Sequence, residues 1–219
     1  MEAIQFFLHT GSIPKGCNAS FITLVPKISD PTKLYQFRLI SLVGTLYKII
    51  AKVLSCRIKD VLPLVIDENL SAFLKNKGML DSVLMANEVV EELKRKRRTR
   101  VCMKVDYEKA YDSVKWSFLY DMLNKLGFHS KWTKWVRGCL ESASVSALVN
   151  GSPTEEFIPS RGLRQGDPLA PFLFLIVVDG LSELGRQAVK AKLLSGIKVG
   201  CNEIEICLFQ FVNDTFFHV

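Results

Sequence analysis

Apolar and polar positions along the chain fall into two periods. Phe21–Val25 is an apolar run inside "GSIPKGCNASFITLVPKISDP", bounded by Gly and Pro, and it reads as a strand. In "LVGTLYKIIAKVLSCRIKDVL", Leu42, Leu46, Ile49, Ile50, Val53 and Leu54 recur at helical spacing with Lys48, Lys52, Arg57 and Lys59 among them, an amphipathic helix with a basic face. A second helix is predicted from Asp81 to about Lys96, with Val83, Leu84, Val89, Val90 and Leu93 on one broad side. Val101, Met103 and Val105 then alternate with Cys102 and Lys104, a short strand ending at Asp106. After a turn, Asp112 or Ser113 can cap a helix that runs to about Leu126 and closes at Gly127.

Further on, "SVSALVNGSPTEEFIPS" reads as a hairpin with Asn150-Gly151 as its tight turn. "RGLRQGDPLAPFLFLIVVDGLSELGRQAV" is a polar, Gly-bearing loop leading through Pro168 into a buried helix, with Phe172–Val178 as core. Its apolar run, Leu169–Val178, is too short for a membrane span of about 20 residues. The last segment, "EIEICLFQFVNDTFFHV", is strand, turn, strand. Strand, helix and hairpin in alternation predict an α+β fold in which an antiparallel sheet is backed by helices.

Length and composition narrow the class. A chain of 219 residues holds one large domain or two small ones with a real core. At 48% hydrophobic and 23% charged it lies outside the disordered range. Lys and Arg number 29 against 22 acids, and the net charge of +7 favours a polyanionic partner without naming it. The cysteines at 17, 56, 102, 139, 201 and 207 form no CxxC and stand at no metal-ligand spacing from a histidine, which argues against zinc and for reduced, mostly buried thiols. The start "MEAIQFF" is acidic, not the basic opening of a secretory signal, so the expected location is intracellular, in nucleus or cytoplasm, away from membrane. The run Lys94–Arg100 reads either as a solvated helix end or as a phosphate-contacting patch or nuclear-import signal. In the phosphate reading Lys94, Arg95, Lys96, Arg97 and Arg98 are the nucleic-acid residues.

The acids at the strand ends carry the sharpest chemical question. Nucleotidyl transfer is an in-line displacement in which charge builds on phosphate oxygens, and two Mg²⁺ ions about 4 Å apart can hold the attacking and leaving oxygens. Mg²⁺ takes hard oxygen ligands, so carboxylates at the ends of adjacent strands are a natural way to fix it. Asp106 ends one predicted strand and Asp214 lies in the turn of another. If those strands pair, the carboxylates meet at one edge of the sheet. Spacing does not establish the pairing, and a lone Asp at a strand end serves equally as a turn residue bonded to its own backbone.

Several ordered motifs bear on this question. They are "LVPKISDPTKLYQFRLISLVGTLYKIIAKVLSCRIK", "NLSAFLKNKGMLDSVLMANEVVEELK", "MKVDYEKAYDSVKW", "NGSPTEEFIPSRGLRQGDPLAPFLFLIVVDGLS" and "FVND". Together they resemble, over nearly the whole chain, the reverse transcriptase domain of non-LTR (LINE-type) retrotransposons, particularly those of plants. The resemblance implies a right-hand polymerase, with a fingers-like region at 1–100 and a palm at 101–219, the 147–166 hairpin and loop contributing to the fingers. It implies an RNA template, a DNA primer, deoxynucleoside triphosphates and two Mg²⁺ ions, with Mn²⁺ as a substitute. Asp106 and Asp214 would be catalytic metal ligands. Tyr111 would lie against the sugar of the incoming nucleotide and exclude a 2′-hydroxyl, or serve as a core aromatic. Arg38 would grip the triphosphate with its planar fork, or make a surface ion pair; Lys27 is a weaker candidate for the same task. Gln165 and Gly166 would sit near nucleotide and template, though a plain helix-opening loop would also use a glycine there. Asp112 is assigned mainly to helix capping.

The chain also departs from the family pattern. Asn213 stands where the family has the first aspartate of the pair, a direct metal ligand, and Val212 stands for Ala beside it. An amide keeps the shape and one neutral oxygen but removes a full charge facing two divalent ions. A loss of ~3 kcal/mol in transition-state stabilisation is already more than a hundredfold in rate. Leu39 replaces a Pro after Arg38, and Leu70 a Gln before "SAF". The sequence stops five residues after Asp214, so the thumb, the rest of the palm and the upstream endonuclease region needed for retrotransposition are expected to be missing. Two readings follow: an impaired reverse transcriptase domain, or an inactive remnant that binds nucleic acid weakly and without sequence preference. A protein-interaction module has no positive feature beyond apolar surface.

Overall fold

The chain order is α1 (Glu2–Thr10), β1 (Ala19–Pro26), β2 (Phe37–Val43), α2 (Thr45–Val65), β3 (Cys102–Asp106), α3 (Trp116–Lys125), α4 (Ser130–Glu141), β4 (Ser144–Val149), β5 (Ser152–Pro153), α5 (Ala170–Lys190), β6 (Ile197–Val199), β7 (Ile204–Ile206), β8 (Leu208–Phe211) and β9 (Asp214–His218). This computed structural model describes residues 2–66, Leu84, Asn87, Glu88, 90–92, Lys94, Arg95, 102–107, 109–193, 197–199, 204–206, 208–211 and 214–218, the strands at 102–106 and from 197 onward by their backbone. The chain divides into two compact units, Met1–Ile58 with Tyr111–Phe174, and Lys59–Ala110 with Leu175–Val219.

The first unit is built on a four-stranded sheet in the order β2-β1-β4-β5. The β-branched and aromatic residues of "ASFITLVP" and "FRLISLV" suit a pleated surface, and the two strands pair antiparallel from Ser20↔Val43 to Pro26↔Phe37. β1 pairs parallel with β4, from Ala19↔Ser144 to Ile22↔Ala147. β4 and β5 close at Asn150 (φ +50°) and Gly151 (φ +83°), the two left-handed positions of a type I′ turn. Tyr47, Ile50, Leu54 and Ile58 of α2, Leu119 and Leu123 of α3, and Val136 and Cys139 of α4 supply buried side chains.

Two expectations are corrected here. Leu42, placed by periodicity on the first helix, belongs to β2 and pairs with Phe21; the helix begins after Gly44, because "FRLISLV" finds a full ladder against β1. α3 begins at Trp116 with Lys115 at its cap position and no side-chain cap, not at Asp112 or Ser113. The residues before it are engaged elsewhere: the carbonyls of Tyr111 and Val114 accept from the amides of Leu163 and Gly162, each at 2.8 Å. Gly127 (φ +79°) does close the helix, with Phe128 N donating to Leu123 O at 3.0 Å. Among the thiols, Cys139 is buried and Cys17 half-buried, but Cys56 is exposed.

α1 and α4 are additions to the expected elements. Thr133, Val136, Cys139 and Leu140 form the buried stripe of α4, and the His129 imidazole caps it by accepting from Lys131 N at 3.1 Å. Trp135 Nε1 donates to Leu8 O at 3.2 Å and its ring lies 6.4 Å from Phe7, so α1 is seated on α4.

In the second unit, β3, β9 and β8 form an antiparallel sheet in the order β3-β9-β8, and β6 pairs with β7. Leu175, Ile176 and Val178 of α5 are buried, as the apolar run requires. Leu84, Asn87, Glu88, 90–92, Lys94 and Arg95 are helical where a second helix is expected, and Leu84 and Val90 are exposed. Among the described residues no helix is long and apolar enough to cross a membrane.

Candidate active site

The register of the second unit's sheet is the central geometric fact. β3 pairs antiparallel with β9 so that Asp106, the last residue of one strand, is opposite Asp214, the first of the other. Paired antiparallel positions share a face of the sheet, with Cα atoms about 4.5–5.5 Å apart. Two carboxylate-bearing positions therefore sit at the same end and on the same face. β8 pairs with β9 through Phe211↔Asp214, so Val212 and Asn213 are the two residues linking the strands; both lie outside the described residues. Two carboxylate residues at one sheet end suit a hard divalent cation.

The first unit positions the other candidates. Arg164, Gln165, Gly166 and Asp167 form a turn closed by Asp167 N donating to Arg164 O at 3.2 Å, with Gly166 at φ +99°. A positive φ at the third position defines a type II turn, which needs Gly there. Ser41 N on the edge strand β2 donates to Gln165 O at 2.8 Å, and a Cβ on Gly166 would come within 3.1 Å of Ser41 O. The glycine is thus required twice, for the turn and for close approach to β2. Asp167 Oδ1 accepts from Leu169 N at 2.8 Å just ahead of α5; the helix begins at Ala170, so Pro168 precedes it instead of lying in its first turn as expected.

Tyr111 is half-buried, its ring stacked on Phe174 at 4.8 Å and 15°. Burial raises its phenol pKa. Arg38 is exposed on β2 opposite Val25 and makes no ion pair with a described residue. Lys27 is exposed at the end of β1, its ammonium donating to Tyr35 O at 3.0 Å. Of the basic run, Lys94 and Arg95 are exposed and helical, and Arg95 pairs with Glu92 at 2.8 Å; Lys96, Arg97 and Arg98 lie outside the described residues, as does Leu70.

Behind Gln165 is a cleft of about 120 Å³ bordered by Ile22, Leu39, Asp112, Trp116 and Arg161. The sequence reading missed the side chains that hold the turn: Asn18, Tyr47, Arg164 and Asp167. One signal was available, since Asp-Pro ahead of an apolar helix is a capping signature. The other three are tens of residues apart in the chain and meet only in the fold.

The solved structures resembling this chain define the class. Telomerase of Candida tropicalis superposes with a TM-score of 0.61 at 14% identity, over 100% of this chain and 43% of that one. Telomerase of Candida albicans, solved with a fragment of telomeric RNA, gives 0.58 at 13%, over 92% and 38%. The fold is that of polymerase fingers and palm. Residues 25–219 match the reverse transcriptase (RNA-dependent DNA polymerase) family, and the chain belongs to it. It is similar to the Pol polyprotein of the type-2 retrotransposable element R2DM of Drosophila melanogaster (27% identity over 196 residues, 87% of this chain and 18% of that protein). It is also similar to the transposon TX1 149 kDa protein of Xenopus laevis (28% over 204 residues, 93% and 15%). It is a reverse transcriptase domain of the non-LTR retrotransposon type and spans under a fifth of the length of these relatives.

Proposed function

We propose that this domain copies an RNA template into DNA from a DNA primer, using deoxynucleoside triphosphates, with its charge complement lowered at Asn213. The observation that carries the reading is the register that sets Asp106 opposite Asp214. In this reading Asp106 and Asp214 would hold divalent ions, Mg²⁺ or Mn²⁺, which when bound would supply Lewis-acid stabilisation as the primer 3′-hydroxyl gives its proton to solvent, its oxygen bonds to the α-phosphorus and pyrophosphate leaves. Tyr111, braced flat by Phe174, tests the sugar at its 2′ position. Arg38 is solvent-facing and grips the triphosphate with its planar fork; Lys27 assists. Gln165 and Gly166 border nucleotide and template on a turn that is rigid by construction. Lys94 to Arg98 contact the phosphate backbone, which makes binding salt-dependent.

The assignment of 1–100 to fingers and 101–219 to palm belongs to the same proposal. The parallel pairing of β4 with β1 supports a hairpin at 147–166 that serves the fingers. A plant lineage is supported by 46% identity over 68 residues to an uncharacterized mitochondrial protein of Arabidopsis thaliana, 31% of this chain and 56% of that one. We place its action inside the cell, in nucleus or cytoplasm.

The test is primer extension on RNA with deoxynucleotides and Mg²⁺, comparing the native chain with Asn213→Asp. The substituted chain is expected to extend at least about a hundredfold faster, the factor for ~3 kcal/mol of restored electrostatics. Equal extension by both would show that the amide suffices. Salt-sensitive binding of primer–template with no extension by either would leave a nucleic-acid-binding remnant and overturn the polymerase reading.

A further inference from the structure

The turn at Gln165 and Gly166 is held from behind by a buried polar network. Arg164 and Asp167, its first and last residues, turn inward with side chains only 10% and 4% exposed and meet at 3.4 Å. Arg164 lies over the Tyr47 ring at 4.1 Å and donates to Asn18 Oδ1 at 2.8 Å. Asn18 is itself fixed, donating to Cys139 O and Ser142 Oγ, both at 2.8 Å. Asp167 accepts from the Tyr47 hydroxyl and from Leu169 N. Every charge in the set is paired, and its members come from three separated stretches of chain.

A buried ion pair is poor value as a source of stability, because desolvation offsets most of its attraction; apolar residues of equal volume often do as well. What such a network does supply is a single geometry. Here that geometry is imposed on two residues, Gln165 and Gly166, lying between the inward-facing pair. The network anchors both ends of the turn, and between them the Gln165 carbonyl is held by Ser41 N at 2.8 Å, a bond that a flip of the central peptide would break.

We propose that Asn18, Tyr47, Arg164 and Asp167 are positioning residues for nucleotide selection, fixing the turn that borders the incoming deoxynucleotide. The inference rests on the reading of Gln165 and Gly166 as nucleotide-bordering residues. Tyr47 is the most telling member, since Tyr47→Phe keeps the ring beneath Arg164 and removes only the bond to Asp167.

The experiment loads the chain, native and Asn213→Asp side by side, on an RNA template annealed to a dideoxy-terminated DNA primer with Mg²⁺. It measures Kd for the complementary deoxynucleotide, for a mismatched one, and for the primer–template. Tyr47→Phe is expected to weaken the complementary nucleotide about five- to tenfold, the factor for one lost hydrogen bond. The mismatched nucleotide and the primer–template are expected to change less than about twofold, and Ser41 and Asp167 amides to exchange faster. A lower melting temperature with unchanged nucleotide Kd and unchanged discrimination would make the network structural only and overturn the inference alone. Chains that hold primer–template but retain no complementary nucleotide in either background would overturn the functional reading and this inference together.

Discussion

Gly138→Ala sets local propensity against packing, and the two disagree in sign. Gly138 lies in the interior of α4, where replacing Gly by Ala ordinarily stabilises a helix by about 1 kcal/mol. In the folded chain a Cβ at 138 would be driven into the carbonyl oxygen of Gly11, with Gly11 C at 3.0 Å and Phe7 Cε2 at 3.6 Å. The obstruction is backbone, so no rotamer change relieves it. Either the helix shifts, an overpacking cost of about 1–3 kcal/mol, or α1 lifts and Phe7, now 1% exposed, returns to water at roughly 1.5–3 kcal/mol. Set against the propensity gain of about 1 kcal/mol, the net is a loss of up to about 2 kcal/mol. At about 2–4 °C per kcal/mol for a chain of this size, the melting temperature falls by up to about 8 °C. Thermal unfolding followed by tryptophan fluorescence reads both effects, because Trp135 is bonded to Leu8 O and packed near Phe7 and its emission shifts red if α1 departs. Phe7→Ala should cost less in the Gly138→Ala background than alone. A Gly138→Ala chain as stable as the native, with Trp135 emission unchanged, would refute the packing argument.

Gly166→Ala and Gly151→Ala form a matched pair in urea unfolding. Both positions have positive φ, but only Gly166 has a backbone atom within 3.4 Å of the added Cβ. Gly151→Ala should cost about 1–2 kcal/mol from the left-handed backbone, and Gly166→Ala measurably more; equal losses would remove the case for close approach to β2. Burial, then the Asp167 carboxylate, hold the Tyr47 phenol pKa well above its ordinary value. The contribution is therefore complete below about pH 10, where the unfolded tyrosine is still protonated, and is lost as pH rises beyond it, at up to about 1.4 kcal/mol per pH unit. Denaturation midpoints from pH 9 to 11 should fall more steeply for the native chain than for Tyr47→Phe, and parallel slopes would contradict this. Asn213→Asp should tighten binding of Mn²⁺, titrated by its paramagnetic relaxation of water; an unchanged titration curve would show that the lost charge is not the lesion.

Much of the site was legible before any coordinates. The strand ending at Asp106, the Asn150-Gly151 hairpin, the loop into α5 and the buried run beyond it are local patterns, with periodicity and turn chemistry acting over a few residues. Legibility failed where two local solutions were close in energy. Leu42 satisfies a helical period as well as a strand, and only β1 alongside it decides between them. Asp112 is a plausible cap by composition, but the loop at Gly162 and Leu163 takes up the backbone around it and delays α3 to Trp116.

By itself the sequence determined the family, most element types, the residues proposed for nucleotidyl transfer and the amide at 213, because those are properties of residue identity and short-range order. Only the tertiary structure decided that Asp106 falls opposite Asp214. A shift of one residue in that pairing would send the partner to the other face of the sheet, and nothing local in either strand forbids it. Only the tertiary structure, too, gathered Asn18, Tyr47, Arg164 and Asp167 into one buried network. The loop-closure entropy of bringing such distant segments together is offset by packing of the core around them, a balance written in the whole fold and in no single segment.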